Sequence, residues 1–245
     1  MNTTELLKVN PSGYSLSDLE KFLSGMSVDS TLKQYKGFEE DLKGELNPTG
    51  LLEKLFWHER RWLDFPEFAQ LYWEAYESQL RRRFPLTFAS LGADTYTHLR
   101  ARLYRTQFGF LTEYHAVILL ASVFSPKGYT VWRGAALDGI GVDCLILEPG
   151  SERRYNIHIF VDSKRAWSYR QKKRVVKSSD KALGQHIDFP YTMSQGRIHS
   201  LRMLPNGFGV YTERYTLHLL ELIERGIYGK RQKPTVDCQA GLVFE

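Results

Sequence analysis

The run Gly141-Val142-Asp143-Cys144-Leu145-Ile146-Leu147 is followed, after a short turn, by Tyr155-Asn156-Ile157-His158-Ile159-Phe160-Val161-Asp162-Ser163-Lys164. Two carboxylates and one amine thus punctuate two apolar, strand-like segments. In a strand, side chains two residues apart share a face, so Asp162 and Lys164 are expected to project together while Ile157, Ile159 and Val161 face a core. A charge at Asp143 within an apolar run is costly unless it is paired or metal-bound. These residue types point to carboxylates that hold a cation beside a fixed ammonium group. Phosphodiester hydrolysis needs that combination: a water made nucleophilic near neutral pH and compensation for the charge that builds on phosphorus. Mg²⁺ held by Asp143 and Asp162 would meet both needs, and Lys164 would orient the attacking water and stabilise the transition state. Asp-x-Lys taken alone also occurs on solvated faces.

Two further acids are candidates for an outer metal shell. Asp138 lies in the Gly-rich approach to Asp143, where it could equally form a turn; Glu113 lies on a helical stretch with His115, where it could equally be a surface charge. The seven histidines show no His-x-x-x-His spacing, so zinc is not indicated.

Directly after Lys164 the chain turns basic, with Arg165, Arg170, Lys172, Lys173, Arg174, Lys177 and Lys181 around Trp167 and Tyr169. Such a segment is expected to lie along a phosphate backbone or enter a groove, the alternative being a solvated face. Gln185, Gln195, Arg197, Arg202 and Asn206 could read base edges. Charge is divided unevenly along the chain. Residues 1–95 carry 11 Lys and Arg against 15 Asp and Glu, and residues 96–245 carry 22 against 13, so the half with the candidate site is the basic one. A polyanion would be drawn toward it.

The elements that position these residues divide the same way. Residues 1–95 read as a helical region suited to a cap or a dimer-forming layer, and residues 96–245 as a nuclease core with a recognition segment at its C-terminal end. Ser15 to Leu23 carries start signals before an apolar stripe, Asn47-Pro48-Thr49-Gly50 reads as a turn, and Leu51–Trp62 and Pro66–Arg83 read as helices. Trp57, Trp62, Tyr72 and Trp73 are expected in the core, not as base-stacking platforms. A long helix is expected from Thr97 to Phe124, with a break near Phe108-Gly109; the two strands follow, and Tyr215–Arg225 forms a last helix after short turns. Helix, strand and strand with polar residues at the strand ends predict an α/β (α+β) architecture.

The 245 residues suffice for one large domain or two small ones. No apolar run is read as reaching the roughly 18 residues of a membrane span, no signal peptide is apparent, and the chain is expected to be cytoplasmic. Cys144 and Cys238 form neither a disulfide framework nor a zinc set, and Cys144 is expected to be a small core residue.

The chain resembles the TaqI-type restriction endonucleases. The resemblance rests on Tyr35-Lys36 through Glu40-Asp41-Leu42, on Leu46-Asn47-Pro48, on Leu99-Arg100-Ala101-Arg102-Leu103-Tyr104-Arg105-Thr106-Gln107 with Leu111-Thr112 and His115, and on Leu137-Asp138 leading to Gly141-Val142-Asp143. It covers residues 30–165. It implies a PD-(D/E)XK core with a helical N-terminal region, and a Mg²⁺-dependent type II endonuclease. Such an enzyme would act as a homodimer on a short double-stranded palindrome, TCGA in the type member, leaving 5′-phosphates, with a cognate methyltransferase in the same system. It implies a metal ligand at Asp143, a supporting acid at Asp138 and a catalytic lysine at Lys164, and adds Arg102 and Arg105 to the expected DNA contacts. The readings kept beside it are a repair or structure-specific nuclease and a non-catalytic DNA-binding protein.

Overall fold

Local capping chemistry sets where the N-terminal helices begin. The Asn47 side chain accepts from the Thr49 amide (3.1 Å) and Pro48 occupies the first turn, so α2 (Pro48–Glu53) starts there and runs into a π-helical turn, Lys54–His58. The expected turn at residues 47–50 is therefore a helix start. Asp64 and Glu67 form a reciprocal capping box around Pro66 and open α3 (Phe65–Arg83). α1 (Leu16–Gly25) and α4 (Pro85–Leu91) complete this series. α5 runs unbroken from Thr95 to Phe124, so the expected interruption at Phe108-Gly109 does not occur. One glycine inside a helix costs only about 1 kcal/mol, well within what burial on either side of it supplies.

The computed structural model describes residues 6–134, 137, 141–176, 184–192 and 199–227. Their five-stranded sheet has the order β1 (Leu7–Lys8), β2 (Thr130–Arg133), β3 (Cys144–Leu147), β4 (Arg154–Val161), β5 (Gln185–Tyr191). The first three pairings are antiparallel and β4–β5 is parallel, with α6 (Lys164–Val176) in the connection. β6 (Leu201–Met203) and β7 (Gly209–Tyr211) form a separate antiparallel pair before α7 (Glu213–Glu224). The architecture is mixed α/β with a helical N-terminal region.

The chain groups into two compact units. One comprises residues 1–20, 113–204 and 209–245; the other comprises residues 21–112 and 205–208. The second unit is aromatic inside: Phe65 meets Tyr104 edge-on (5.0 Å between ring centres), Trp73 packs on Tyr96 (5.0 Å), and the buried Tyr72 hydroxyl donates to the Leu46 carbonyl (2.5 Å). Trp57 and Tyr72 are buried, as expected of core residues. The stretch Pro85–Lys127 does contain an 18-residue window of mean hydropathy 1.4, long and apolar enough to cross a membrane by composition. This corrects the sequence expectation. Two-thirds of that window (67%) is buried inside the protein, as in a core helix, so it is weak grounds for a span.

In the first unit, β4 lies between β3 and β5 and is buried from Tyr155 through Ile159. That explains its nearly continuous apolar sequence. Register puts Cys144 opposite Ile157 and Ile157 opposite Ile187, so one sheet face carries Cys144, Ile157, Ile159 and Phe189. Phe189 stacks on Tyr215 of α7 (4.6 Å) and on Tyr211 (5.0 Å). The opposite face carries His158, Phe160 and Asp188. There Phe160 meets Trp167 of α6 edge-on (5.0 Å), and Arg170 pairs with Asp188 (2.7 Å). Gly184 introduces β5 at φ +95, with a would-be Cβ 2.4 Å from the Arg154 carbonyl, so only glycine fits.

Candidate active site

Asp143 stands one residue before β3 and extends its ladder with β4. Its amide donates to the Ile157 carbonyl (3.0 Å), and its Oδ2 accepts from the Ile159 amide (2.5 Å). A backbone donor on the charged form is a strong, charge-assisted bond, and it fixes the carboxylate at the sheet.

Glu113 of α5 reaches the same neighbourhood. It lies 3.6 Å from the guanidinium of Arg133, the last residue of β2, which is only 2% exposed. Two buried neighbours register both carboxylates. Burial pushes the Cys144 thiol well above its ordinary range, and the negative charges of Asp143 and Glu113 push it further, with Arg133 opposing. The Tyr211 phenol is pushed up by burial, by Tyr215 and Tyr191, and then by the same two acids. Burial and Glu113 also raise Tyr191. The start of β3 thus carries two carboxylates, opposed by Arg133, and Cys144, Tyr191 and Tyr211 hold their protons more tightly than usual. Cys144 is buried and free, a core residue as expected.

The donor set fits a hard cation in kind. Two carboxylates supply oxygen ligands, and a cation such as Mg²⁺ needs only one or two protein carboxylates. Among the described residues no group of three or more His, Cys, Asp or Glu is gathered as a metal cage. Asp138 lies outside the described residues.

Asp162 and Lys164 sit elsewhere than the strand reading expected. β4 ends at Val161, and Lys164 is already the first residue of α6. Two-residue strand alternation therefore does not relate them. Ser163 caps the helix, its Oγ accepting from the Ala166 amide (3.2 Å), and the Trp167 indole N–H donates to Asp162 Oδ1 (2.6 Å). The Asp162 amide continues the sheet by donating to the Tyr191 carbonyl (2.7 Å). Asp162 lies three residues beyond Ile159, about 10 Å along the strand from the amide that holds Asp143.

Lys164 and Arg165 are exposed in the first turn of α6. Cations there oppose the helix dipole, whose N-terminus favours anions, so helix stability does not explain them.

The other basic candidates divide. Arg105 is engaged, donating to the Tyr35 carbonyl (3.1 Å) and pairing with Glu39. Arg170 is engaged as well, with both its Nε (3.0 Å) and its terminal nitrogen (2.7 Å) on Asp188. Arg102 is half-buried on α5, with its Nε enclosed by protein. Lys172, Lys173 and Arg174 lie on α6 by backbone, and Lys177 lies outside the described residues. Of the arginines and amides suggested for base reading, Asn206 donates to the Leu23 (2.7 Å) and Met26 (3.0 Å) carbonyls, and Arg202 pairs with Glu20; Gln195 and Arg197 lie outside the described residues.

The family profile described as TaqI restriction endonuclease matches residues 16–198. The chain belongs to the TaqI restriction endonuclease family. Among its relatives in that family, the Type II restriction enzyme TaqI of Thermus aquaticus is 28% identical over 238 residues, covering 82% of this chain and 85% of the relative. A Type II restriction enzyme of Thermus thermophilus is 25% identical over 246 residues, covering 86% of this chain and 88% of the relative. No solved structure matches the chain significantly. The family match takes in the whole of the candidate site, from Glu113 through Lys164, and continues across α6.

Sequence reasoning missed Arg133 as the counter-ion of Glu113 and missed the histidine at position 158. His158 is only 2% exposed between Ile157 and Ile159. A polar ring in the middle of an apolar strand was the available signal, because such a group is retained only with partners.

Proposed function

We propose that this protein is a type II restriction endonuclease that cleaves double-stranded DNA at a short palindrome, TCGA-like by its family, leaving 5′-phosphate ends. The observation that carries the reading is Asp143, a carboxylate fixed on a β4 amide inside the sheet and sharing its field with Glu113. The reading takes the fold as a PD-(D/E)XK core, supported by an antiparallel β2–β3–β4 run followed by a parallel β4–α6–β5 unit.

In this reading Asp143 and Glu113 hold Mg²⁺, with Asp138 as a supporting acid. The bound ion would lower the pKa of water and offset charge on the scissile phosphate. Arg133 keeps Glu113 oriented. Asp162 anchors the start of α6 through Trp167, and α6 in turn presents Lys164 to the phosphate, where the ammonium group stabilises developing negative charge. Arg165 and the basic positions of α6 follow the DNA backbone. A homodimer would set one such site on each strand of a palindrome, and a cognate methyltransferase would protect the host's own sites.

The test is a digest of a fully sequenced, unmethylated plasmid with and without Mg²⁺, with fragment ends mapped by sequencing. Discrete Mg²⁺-dependent ends at one short palindrome are expected. Ends scattered without sequence preference would favour a structure-specific nuclease, and intact DNA under every divalent metal would leave a DNA-binding protein.

A further inference from the structure

The turn that delivers Asp143 to the sheet is tied down from behind by two histidines that the proposed reaction does not use. His158 Nδ1 lies 2.6 Å from the Gly141 carbonyl oxygen, and His158 Nε2 lies 2.8 Å from His186 Nδ1. The planes of the two rings are nearly parallel, 10° apart. A carbonyl can only accept, so His158 must carry its proton on Nδ1. Its Nε2 then holds a lone pair in the neutral ring, and His186 must donate from its own Nδ1. The order of donation therefore runs from exposed His186 on β5, through buried His158 on β4, to the Gly141 carbonyl.

Gly141 is where this support matters. It adopts a left-handed conformation (φ +72), two residues before Asp143, and the next amide, that of Val142, donates to the Leu137 carbonyl (2.9 Å). Asp143 then makes its two bonds to β4. His158 stands between Ile157 and Ile159, the residues that make those two bonds. One strand thus holds the turn by a side chain and the carboxylate by its backbone.

We propose that His158 is a positioning residue for Asp143, clamping the turn through the Gly141 carbonyl, and that His186 acts through it by fixing its tautomer. The proposal rests on the reading of Asp143 as a metal ligand for its consequence, but not for its geometry. Groups that orient a metal ligand without touching the metal typically change affinity or activity by about 10- to 100-fold when removed.

Two substitutions separate positioning from bulk. In His158→Asn the amide nitrogen takes the place of Nδ1 and can still donate to Gly141; in His158→Gln it takes the place of Nε2 and cannot. Imidazole ¹⁵N spectra of the whole protein should show His158 as the Nδ1–H tautomer. Amide exchange at Asp143 should accelerate about tenfold in His158→Gln, the loss of one hydrogen bond, and return near the wild-type rate in His158→Asn. Mn²⁺ affinity, followed by the EPR signal of the free ion, should fall about 10-fold or more in the Gln variant and recover in the Asn variant. An Nε2–H tautomer at His158, wild-type exchange in the Gln variant, or equal impairment of the two variants would overturn the proposal. If His158→Gln does not fold, His186→Ala at the exposed position should raise Asp143 exchange about threefold, and an unchanged rate would overturn it. A wild-type protein that neither binds Mn²⁺ nor cleaves DNA would defeat the functional reading alone, because the tautomer and the exchange rates decide the clamp.

Discussion

Asp143 and Asp162 both flank apolar strands, in different surroundings. Asp143 opens β3 with its carboxylate on the Ile159 amide and shares its field with Glu113. Asp162 follows β4 and accepts from the Trp167 indole at the start of α6. The first arrangement gathers two carboxylates at the sheet, with the buried Arg133 guanidinium 3.6 Å from Glu113. The second secures a junction between strand and helix. The basic side chains show the same contrast, since Arg105 and Arg170 are engaged by Glu39 and Asp188 while Lys164 and Arg165 face outward at a helix end that favours anions. Charge paired within the fold supports the fold, and charge left facing outward is available to a ligand.

Asp143→Asn puts the largest weight on this distinction. The amide oxygen can still accept from Ile159, so the melting temperature should change little, while the single-turnover cleavage rate should fall on the order of a thousandfold, about 4 kcal/mol of transition-state stabilisation. Asp162→Asn should lose no more than about tenfold, since its bond is to Trp167 and a neutral acceptor weakens such a bond by about 1 kcal/mol. A loss at Asp162 equal to that at Asp143 would erase the contrast and return both to the metal.

Lys164→Ala is expected to reduce cleavage by about 100-fold while DNA binding measured without divalent metal persists. Retained turnover would remove the lysine from the reaction. Among the arginines, Arg165→Ala should reduce the slope of log binding constant against log salt by about 1. Arg105→Ala should leave that slope unchanged and lower stability by about 1.5 kcal/mol. The opposite pattern in titrations at several salt concentrations would exchange their roles.

The smallest effect concerns α5. Two residues beyond Glu113, His115 is fully buried, with Nε2 3.1 Å from Glu20, which also pairs with Arg202. Burial lowers the His115 pKa below its ordinary 6.5 despite Glu20, and the bond to His115 lowers Glu20 below 4.5 despite burial. Below pH 6.5 the unfolded chain takes up a proton that folded His115 refuses, so stability falls as pH drops. Glu20 contributes stability that is present above pH 4.5 and lost as pH falls through its lower folded value. Melting temperature should therefore decline on acidification from pH 6.5, and His115→Gln should flatten the decline between pH 6.5 and 4.5. An unaltered profile in that variant would place the acid sensitivity elsewhere.

Elements governed by local chemistry were readable along the chain. The apolar stripe of α1, the Pro66 start of α3 and the last helix all lie within two residues of where the pattern put them. Where the reading slipped, a local rule had a competitor. Asn47-Pro48 suits a turn and a helix start equally, and the structure uses it as a cap. Asp162-Ser163-Lys164 continues an apolar strand in sequence, but Ser163 is also a good N-cap and it ends the strand. The basic residues that follow, from Arg165 through Arg174, were given no element from sequence and lie on α6.

The sequence by itself determined that Asp143 needed a partner, because a carboxylate in an apolar run carries a desolvation cost that no neighbouring residue offsets. Only tertiary structure decided what surrounds it. Glu113 arrives from α5, far earlier in the chain, and the Ile159 amide arrives through the register of β3 on β4. His186 comes from β5 through a parallel pairing that places Asn156, and not its own sequence neighbours, beside it. Strand register and helix facing are set by which apolar surfaces bury one another, and that choice is made between segments far apart in the chain.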